Sequence, residues 1–183
     1  MKKAFLLLVV LLAAASFPLQ AQSQVKVGFS GGINVPFGDF GEAVGVGSGG
    51  AAHLRYFITD EFAAGVNTGY HLFLGEDIDL GILGTIEGID FSFIPITAGA
   101  EYYIPLGELR PRIGFDLGLY LAGTSLDGDG VEAFFGITPN VGAAIKVSDQ
   151  MDLIGDLKFH NVFPDGGSTI SFMGVNVGVM FGF

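Results

Sequence analysis

The stretch TISFMGVNVGVMFGF, Thr169 to Phe183, constrains the fold more than any other part of the chain. Counted backwards by twos, Phe183, Phe181, Val179, Val177, Val175 and Met173 form one wholly apolar row, and Gly182, Met180, Gly178, Asn176, Gly174 and Phe172 form the other. Successive side chains of a β-strand point to opposite faces, so strict alternation over this length predicts a strand. One of its faces is apolar throughout and the other is mostly glycine.

The same period-two pattern recurs along the chain. It predicts eight strands: Val25 to Val35, Gly49 to Phe57, Phe62 to Leu74, Ile89 to Ile104, Arg110 to Gly123, Glu132 to Val147, Met151 to Val162 and Thr169 to Phe183. In the fifth, Ile113, Phe115, Leu117, Leu119 and Leu121 oppose Arg112, Gly114, Asp116, Gly118 and Tyr120. The connections alternate as well. Short turns follow strands two, four and six, whereas Pro36 to Ser48, Gly75 to Gly88, Thr124 to Val131 and Phe163 to Ser168 form longer loops after strands one, three, five and seven. Short turns at one end and long loops at the other are the arrangement expected of an outer-membrane barrel with both chain ends in the periplasm. A tilted strand needs about 10 residues to cross the bilayer, and each predicted strand supplies them.

Residues 1–21 are read as a secretory signal peptide, because Lys2 and Lys3 precede the apolar run Ala4 to Ala15 and a Leu19-Gln20-Ala21 cleavage site follows. Residues 22–183 then form one domain. The chain has no Cys, which excludes disulfides, thiolate metal sites and a lipid-modified cysteine. Setting Lys2 and Lys3 aside leaves six basic residues against nineteen acidic, a formal charge of −13. Nucleic-acid binding needs a basic footprint and is excluded on that ground. Half of all residues are hydrophobic, yet residues 22–183 hold no apolar run of the ~18 residues a membrane helix requires. A closed β-barrel is the other structure that satisfies every backbone group in lipid. The fold class expected is therefore all-β: an eight-stranded antiparallel up-and-down transmembrane β-barrel.

The composition of the second row decides which face is inside. A water-soluble barrel would turn mixed charges outward. Here that row is dominated by Gly28, Gly32, Gly65, Gly69, Gly99, Gly114, Gly118, Gly142, Gly174 and Gly178, as suits a narrow tube in which large side chains alternate with none. Lys26, His53, Arg55, Glu101, Arg112, Asp116, Lys146, Asp156 and Lys158 share the row, together with Asp152 and His160. They are expected to form a lumen charge network, since buried charges require partners. Arg110 falls at a strand end, so none of the six basic residues lies in a long loop. The loops carry Asp39, Glu42, Glu76, Asp77, Asp79, Glu87, Asp127, Asp129 and Asp165.

Aromatic residues gather near the strand ends and predict two interfacial girdles. Tyr56, Phe57, Phe62, Tyr102, Tyr103, Phe181 and Phe183 mark one, and Tyr70, Phe73, Phe91, Phe93, Phe134, Phe135 and Phe163 the other.

The signal peptide, the opening QVKVGFSGGINVPFGDF (Gln24 to Phe40), the eight-strand spacing and the terminal MFGF resemble the outer membrane protein β-barrel domain family, the small porin-family barrels of Gram-negative bacteria related to OmpX and the OmpA membrane domain. The resemblance spans residues 22–183 and rests on pattern, with no catalytic motif. It implies outer-membrane lipid as the surroundings, with the barrel-assembly machinery and periplasmic chaperones as partners during biogenesis. It also implies that Val175, Val177, Val179, Phe181 and Phe183 form the assembly signal.

Chemistry is sparse. His160 with Ser168 or Ser171 is a conceivable Ser-His pair near the long-loop end, but parity puts His160 on the lumen row. Asp127-Gly128-Asp129-Gly130 followed by Glu132 is a fragment of a calcium loop without the remaining ligand spacing. Gly31-Gly32 and Gly45 to Gly50 lack the helix and lysine of a phosphate cradle. No catalytic residue, cofactor or metal is expected. The expected role is structural or surface interaction, with a narrow porin-like channel for small solutes as the alternative. Eight strands enclose a space that side chains nearly fill, and Arg55, Tyr103, Arg112 and Tyr120 on the lumen row narrow it further.

Overall fold

The computed structural model describes residues 24–75, 78–79, 85–86, 88–125 and 130–183. The expected signal peptide and the loop acids Glu76, Asp77, Glu87, Asp127 and Asp129 lie outside them. The described chain runs β1 (Val25–Phe37), α1 (Gly38–Ala43), β2 (Gly47–Phe57), β3 (Phe62–Phe73), β4 (Ile78–Asp79), β5 (Thr85–Ile86), β6 (Phe91–Tyr103), β7 (Leu109–Thr124), β8 (Glu132–Lys146), β9 (Met151–Phe163) and β10 (Ile170–Gly182). Eight of these strands close in the order β1-β10-β9-β8-β7-β6-β3-β2, every neighbour antiparallel, while β4 and β5 pair with each other in the loop between β3 and β6. The register that closes the ring sets Lys26 against Gly182 and Phe37 against Ser171. Closure leaves no unpaired sheet edge.

The wall is apolar on the outside. Phe29, Ile33, Leu54, Val66, Ile96, Ile113, Leu119 and Val177 all stand exposed, and no outward-facing residue of the eight barrel strands carries a charge. The inside is polar, with Arg55, Glu101, Arg112, Asp116, Asp152 and Asp156 each buried. Such a molecule exchanges the usual order of core and surface, and lipid is the solvent in which it is stable.

The lumen is filled by pairing each large side chain with a glycine on the next strand. Arg55 stands opposite Gly65, His71 opposite Gly49, Glu101 opposite Gly114, Asp116 opposite Gly99, Asp156 opposite Gly142 and Lys158 opposite Gly174. A methyl group at Gly65 would meet Arg55 Cδ and Nη1 at 2.9 Å, and one at Gly49 would meet His71 Nδ1 at 2.6 Å. These glycines are required for space, since the neighbouring side chain occupies the volume their own would take.

Two apolar clusters close the ends. At the long-loop end, α1 folds inward and sets Phe40 among Phe73, Phe91 and Phe93, with ring centroids at 5.0, 5.6 and 5.8 Å and edge-to-face geometry. Val44, Tyr120, Val162 and Phe172 complete this cluster. At the turn end, Phe57, Ala63, Tyr103, Ala144, Ile154 and Met180 form the second. The helix was not legible in the sequence, because six residues, GDFGEA, are too few to show a helical period.

This closure corrects part of the girdle expectation. Phe73, Phe93, Phe57 and Tyr103 are buried in the lumen and do not face the membrane interface. Phe91 and Phe134 pack against the same loop-end cluster. Strand parity places these rings inside, and position near a strand end gave them a second, misleading signature. Tyr70, Phe135 and Phe163 at the loop end, and Phe62, Tyr102, Phe181 and Phe183 at the turn end, do stand exposed.

Six of the eight seams are continuous, and two each skip two partner pairs. Between β3 and β6 the pairing passes from Thr68↔Ile96 to His71↔Phe93, and between β8 and β9 from Ile137↔Asn161 to Asn140↔Lys158. Pro95 falls in the first gap and Pro139 in the second. Proline has no N–H to donate, which interrupts the ladder on that side.

Gly65→Leu forces Arg55 from its place and should lower unfolding free energy by roughly 1–3 kcal/mol, the usual range for overpacking. Gly155→Ala faces outward, where a new methyl would find its nearest neighbour at 4.0 Å, and should be neutral. Urea titration in lipid vesicles, followed by circular dichroism, compares the two.

Candidate functional site

The lumen holds the buried chemistry of the described residues. Its centre is a chain of charges crossing from β2 to β9. Arg55 Nη2 donates to Glu101 Oε1 at 2.7 Å, Arg112 Nη1 lies 2.6 Å from the same oxygen, and Arg112 Nη2 reaches Asp156 Oδ1. Tyr103 Oη donates to the other Glu101 oxygen at 2.7 Å. Four strands are tied across the tube by this set, and each member is buried. Taking such charges from water costs several kcal/mol apiece unless partners satisfy them, so the chain is stable only as a unit.

A second set lies toward the turn end. Lys26 Nζ and Arg110 Nη2 share Asp152 Oδ2 at 2.5 and 2.8 Å. Lys26 also stands over the Phe57 ring, while Arg110 and Arg112 stand over Tyr103 at 5.6 and 5.8 Å. The cations thus rest on the apolar cluster that closes this end.

The third set is neutral. His53 Nδ1 lies 2.9 Å from Asn67 Oδ1 and His53 Nε2 lies 2.8 Å from Ser30 Oγ. The amide oxygen is an acceptor, so Nδ1 donates and Nε2 accepts from the serine. Asn67 Oδ1 accepts from Arg55 as well, and Asn67 Nδ2 donates to Thr97, which joins this set to the charge chain. Nearer the loops, Tyr120 Oη bonds both Thr138 Oγ1 and His160 Nδ1. His160 stacks on Phe172 at 4.5 Å and lies 5.0 Å from the His71 ring.

Of the nine residues expected in the lumen network, Arg55, Glu101, Arg112 and Asp156 are brought into one chain. Lys26 joins the Asp152 set, His53 joins the neutral set, and Asp116 accepts from Asn140 Nδ2 at 3.1 Å. Lys158 is buried beside them and forms no ion pair among the described residues. Lys146 departs from the expectation. Its side chain is 49% exposed and pairs with Asp149 across the β8–β9 turn, because it is the last residue of β8, at the rim where the turn's carboxylate is within reach. The hydrogen bond from Lys146 holds the Asp149 carboxyl below the usual carboxylate range. Asn67, His71, Thr97, Thr138 and Asn140 line the lumen too. Their only sequence signal is parity with the charged residues.

Ser171 Oγ faces away from the lumen and donates to Asn161 Oδ1 at 3.1 Å, while His160 points inward to Tyr120. The two lie on opposite faces of the wall, and Ser168 is exposed while His160 is buried, so neither conceivable Ser-His pair is assembled. Asp127 and Asp129 of the calcium-loop fragment lie outside the described residues.

Glu101→Gln should remove about 3 kcal/mol of stability by leaving Arg55 without an anionic partner, whereas Lys146→Ala should change it by less than about 1 kcal/mol. Urea midpoints of the two variants in vesicles measure the contrast.

No curated protein matches the chain in sequence. Solved structures match it in fold. Neisserial surface protein A superposes with a TM-score of 0.66 at 17% identity, covering 90% of this chain and 100% of that one. A major outer membrane protein from Thermus thermophilus gives 0.55 at 14% identity over 87% and 98% of the two chains. The outer membrane protein OprG from Pseudomonas aeruginosa gives 0.53 at 13% identity over 91% and 99%. The family model described as outer membrane protein beta-barrel domain matches residues 4–183. That match takes in every strand of the closed barrel, and the chain belongs to the outer membrane protein β-barrel domain family.

Proposed function

We propose that this protein is an axially closed outer-membrane barrel with a structural or surface-interaction role, and that it is neither an enzyme nor an open channel. The observation that carries the reading is the lumen itself: Arg55, Glu101, Arg112 and Asp156 bridge it at mid-height, and the Phe40 and Tyr103 clusters fill it above and below. A water-filled pore would need these groups to part. The alternative, a narrow porin-like passage, lacks such an observation. Surface interaction would fall to the long-loop end, where the described residues Asp39, Glu42, Asp90, Glu132 and Asp165 are acidic and no basic residue stands with them. This orientation takes the loops as extracellular and both chain ends as periplasmic, following export on the 1–21 signal peptide.

Assembly is the second part of the proposal. Val175, Val177 and Phe181 are exposed on the outward face of β10, the strand that closes the ring against β1, and Phe183 is exposed just beyond its end. The barrel-assembly machinery and periplasmic chaperones would read this row before closure hides its hydrogen-bonding edge.

Refolded protein in planar bilayers should give no sustained conductance. Large, steady steps would overturn the closed-barrel reading. Deleting Phe183 should reduce outer-membrane insertion more than replacing Asp39 or Asp165 by Ala, measured by membrane fractionation, and equal insertion of the truncated chain would remove the assembly role.

A further inference from the structure

Five asparagines lie in the barrel strands, and four of them face the lumen: Asn34, Asn67, Asn140 and Asn176 are all buried. Asn161 is the exception. It stands on the outward row of β9 between Phe159 and Phe163, both exposed on the lipid-facing wall. Register sets it beside Ile137 of β8 on one side and Ser171 of β10 on the other. A side-chain amide turned toward lipid needs hydrogen-bond partners that hydrocarbon does not supply.

The wall satisfies this amide only in part. Ser171 Oγ donates to Asn161 Oδ1 at 3.1 Å, which fixes the amide oxygen toward β10. Asn161 Nδ2 donates to Phe159 O at 3.5 Å, the long limit of a hydrogen bond. By register Phe159 faces Pro139, which has no N–H to offer that carbonyl. An amide nitrogen carries two hydrogens, and the second has no acceptor among the described residues. Ser92, outward on β6 at the same end, differs, because its hydroxyl donates to Gly123 O within the wall.

Aromatic rings frame the same spot. Phe37 and Phe159 lie nearly parallel with centroids 6.3 Å apart, as do Phe135 and Phe163, and all four are exposed. Across the barrel at the loop end, β6 and β7 turn Ser92, Ile94, Leu121 and Gly123 outward, with no ring among them. The frame is therefore one-sided, whereas a girdle that only seats the barrel would encircle it. Depth points the same way. Asn161 lies two residues inside Phe163, the end of β9, or about 7 Å along a tilted strand. The interfacial layer is roughly 5–8 Å thick on each side of a bilayer, so the amide falls where headgroups give way to acyl chains.

We propose that Asn161 anchors a lipid-docking site on the outward wall, and that its occupant is one acyl lipid whose linkage carbonyl accepts the free amide hydrogen. The apolar wall is already the lipid interface of the barrel, and this is a fixed place on it. The acyl chain runs from the carbonyl toward mid-height, over Met173 and the Phe37–Phe159 pair. An anionic head is not what the site reads, since no cationic side chain lies on the outward row, and a neutral N–H suits a neutral carbonyl. A lipid held by its linkage, whatever its head, sets the height and rotation of the barrel in the leaflet. The site is separate from the closed lumen and from the acidic loops.

Phosphatidylcholine with ester-linked chains and its ether-linked analogue, which has no linkage carbonyl, are the probes. Protein refolded into vesicles of both lipids in equal parts is extracted and its retained lipid read by native mass spectrometry. The ester form should be retained roughly threefold over the ether form, as one hydrogen bond predicts. Asn161→Leu should remove the preference and Ser92→Ala should keep it, with folding of both checked by circular dichroism. In the wild-type protein, solid-state NMR with carbonyl-labelled ester lipid should show contact to the side-chain nitrogen of Asn161 and none to Asn67 or Asn140 in the lumen. This measurement stands even where a variant fails to fold. Equal retention of the two lipids, a preference that survives in Asn161→Leu, or contact of the amide with water alone would each overturn the docking site. Conductance reports the lumen and lipid retention reports the wall, so the two readings fail separately.

Discussion

The structure depends on one spatial constraint: eight strands enclose a tube too narrow for two large side chains to meet on neighbouring strands. The solution is an alternation of bulk and void. Arg55 lies over Gly65, Glu101 over Gly114, Asp116 over Gly99 and Asp156 over Gly142. Each glycine yields its volume to a charged neighbour, and Arg55, Glu101 and Asp156 among these reach across the tube to a charge of opposite sign. Space and electrostatics are thus settled by the same residue pairs. Replacing Gly65, Gly114 or Gly142 displaces a charge from its partner, which makes packing and ion pairing inseparable in this lumen.

The exterior follows from the interior. With no charge on the outward row of the barrel strands, that row is free to be apolar, and the hydrogen-bonded ladder satisfies the backbone in lipid. Against that background the prolines stand out. An unsatisfied backbone group buried away from water costs about 1–3 kcal/mol, and lipid offers no substitute partner. Pro95 and Pro139 lie where two seams leave partner pairs out of the ladder. Elsewhere the ladder is kept intact through six seams.

End closure shows how tertiary context assigns the aromatic residues. Phe73 and Phe93 lie near strand ends, where a membrane girdle is expected, yet α1 brings Phe40 down onto them and turns that level of the tube into an apolar core. Phe57 and Tyr103 do the same at the other end, carrying the cations of Lys26, Arg110 and Arg112 on their faces. Aromatic residues at equal height therefore serve two functions, and the direction of the side chain separates them.

Strand number, the approximate strand limits, the alternation of short and long connections and the direction of each charged row were legible in the sequence, because a period of two is a local property of the backbone that each segment displays by itself. The glycine row also indicated a narrow tube, since no other geometry tolerates so many voids on one face. Which charges meet was not legible. Arg112 pairs with Glu101 and Asp156, while Lys146 leaves the lumen for Asp149, and both outcomes depend on the stagger between strands far apart in sequence. The Phe40 closure arises only when the ring closes. Periodicity is set residue by residue along one strand, whereas register, closure and enclosed volume belong to eight strands at once.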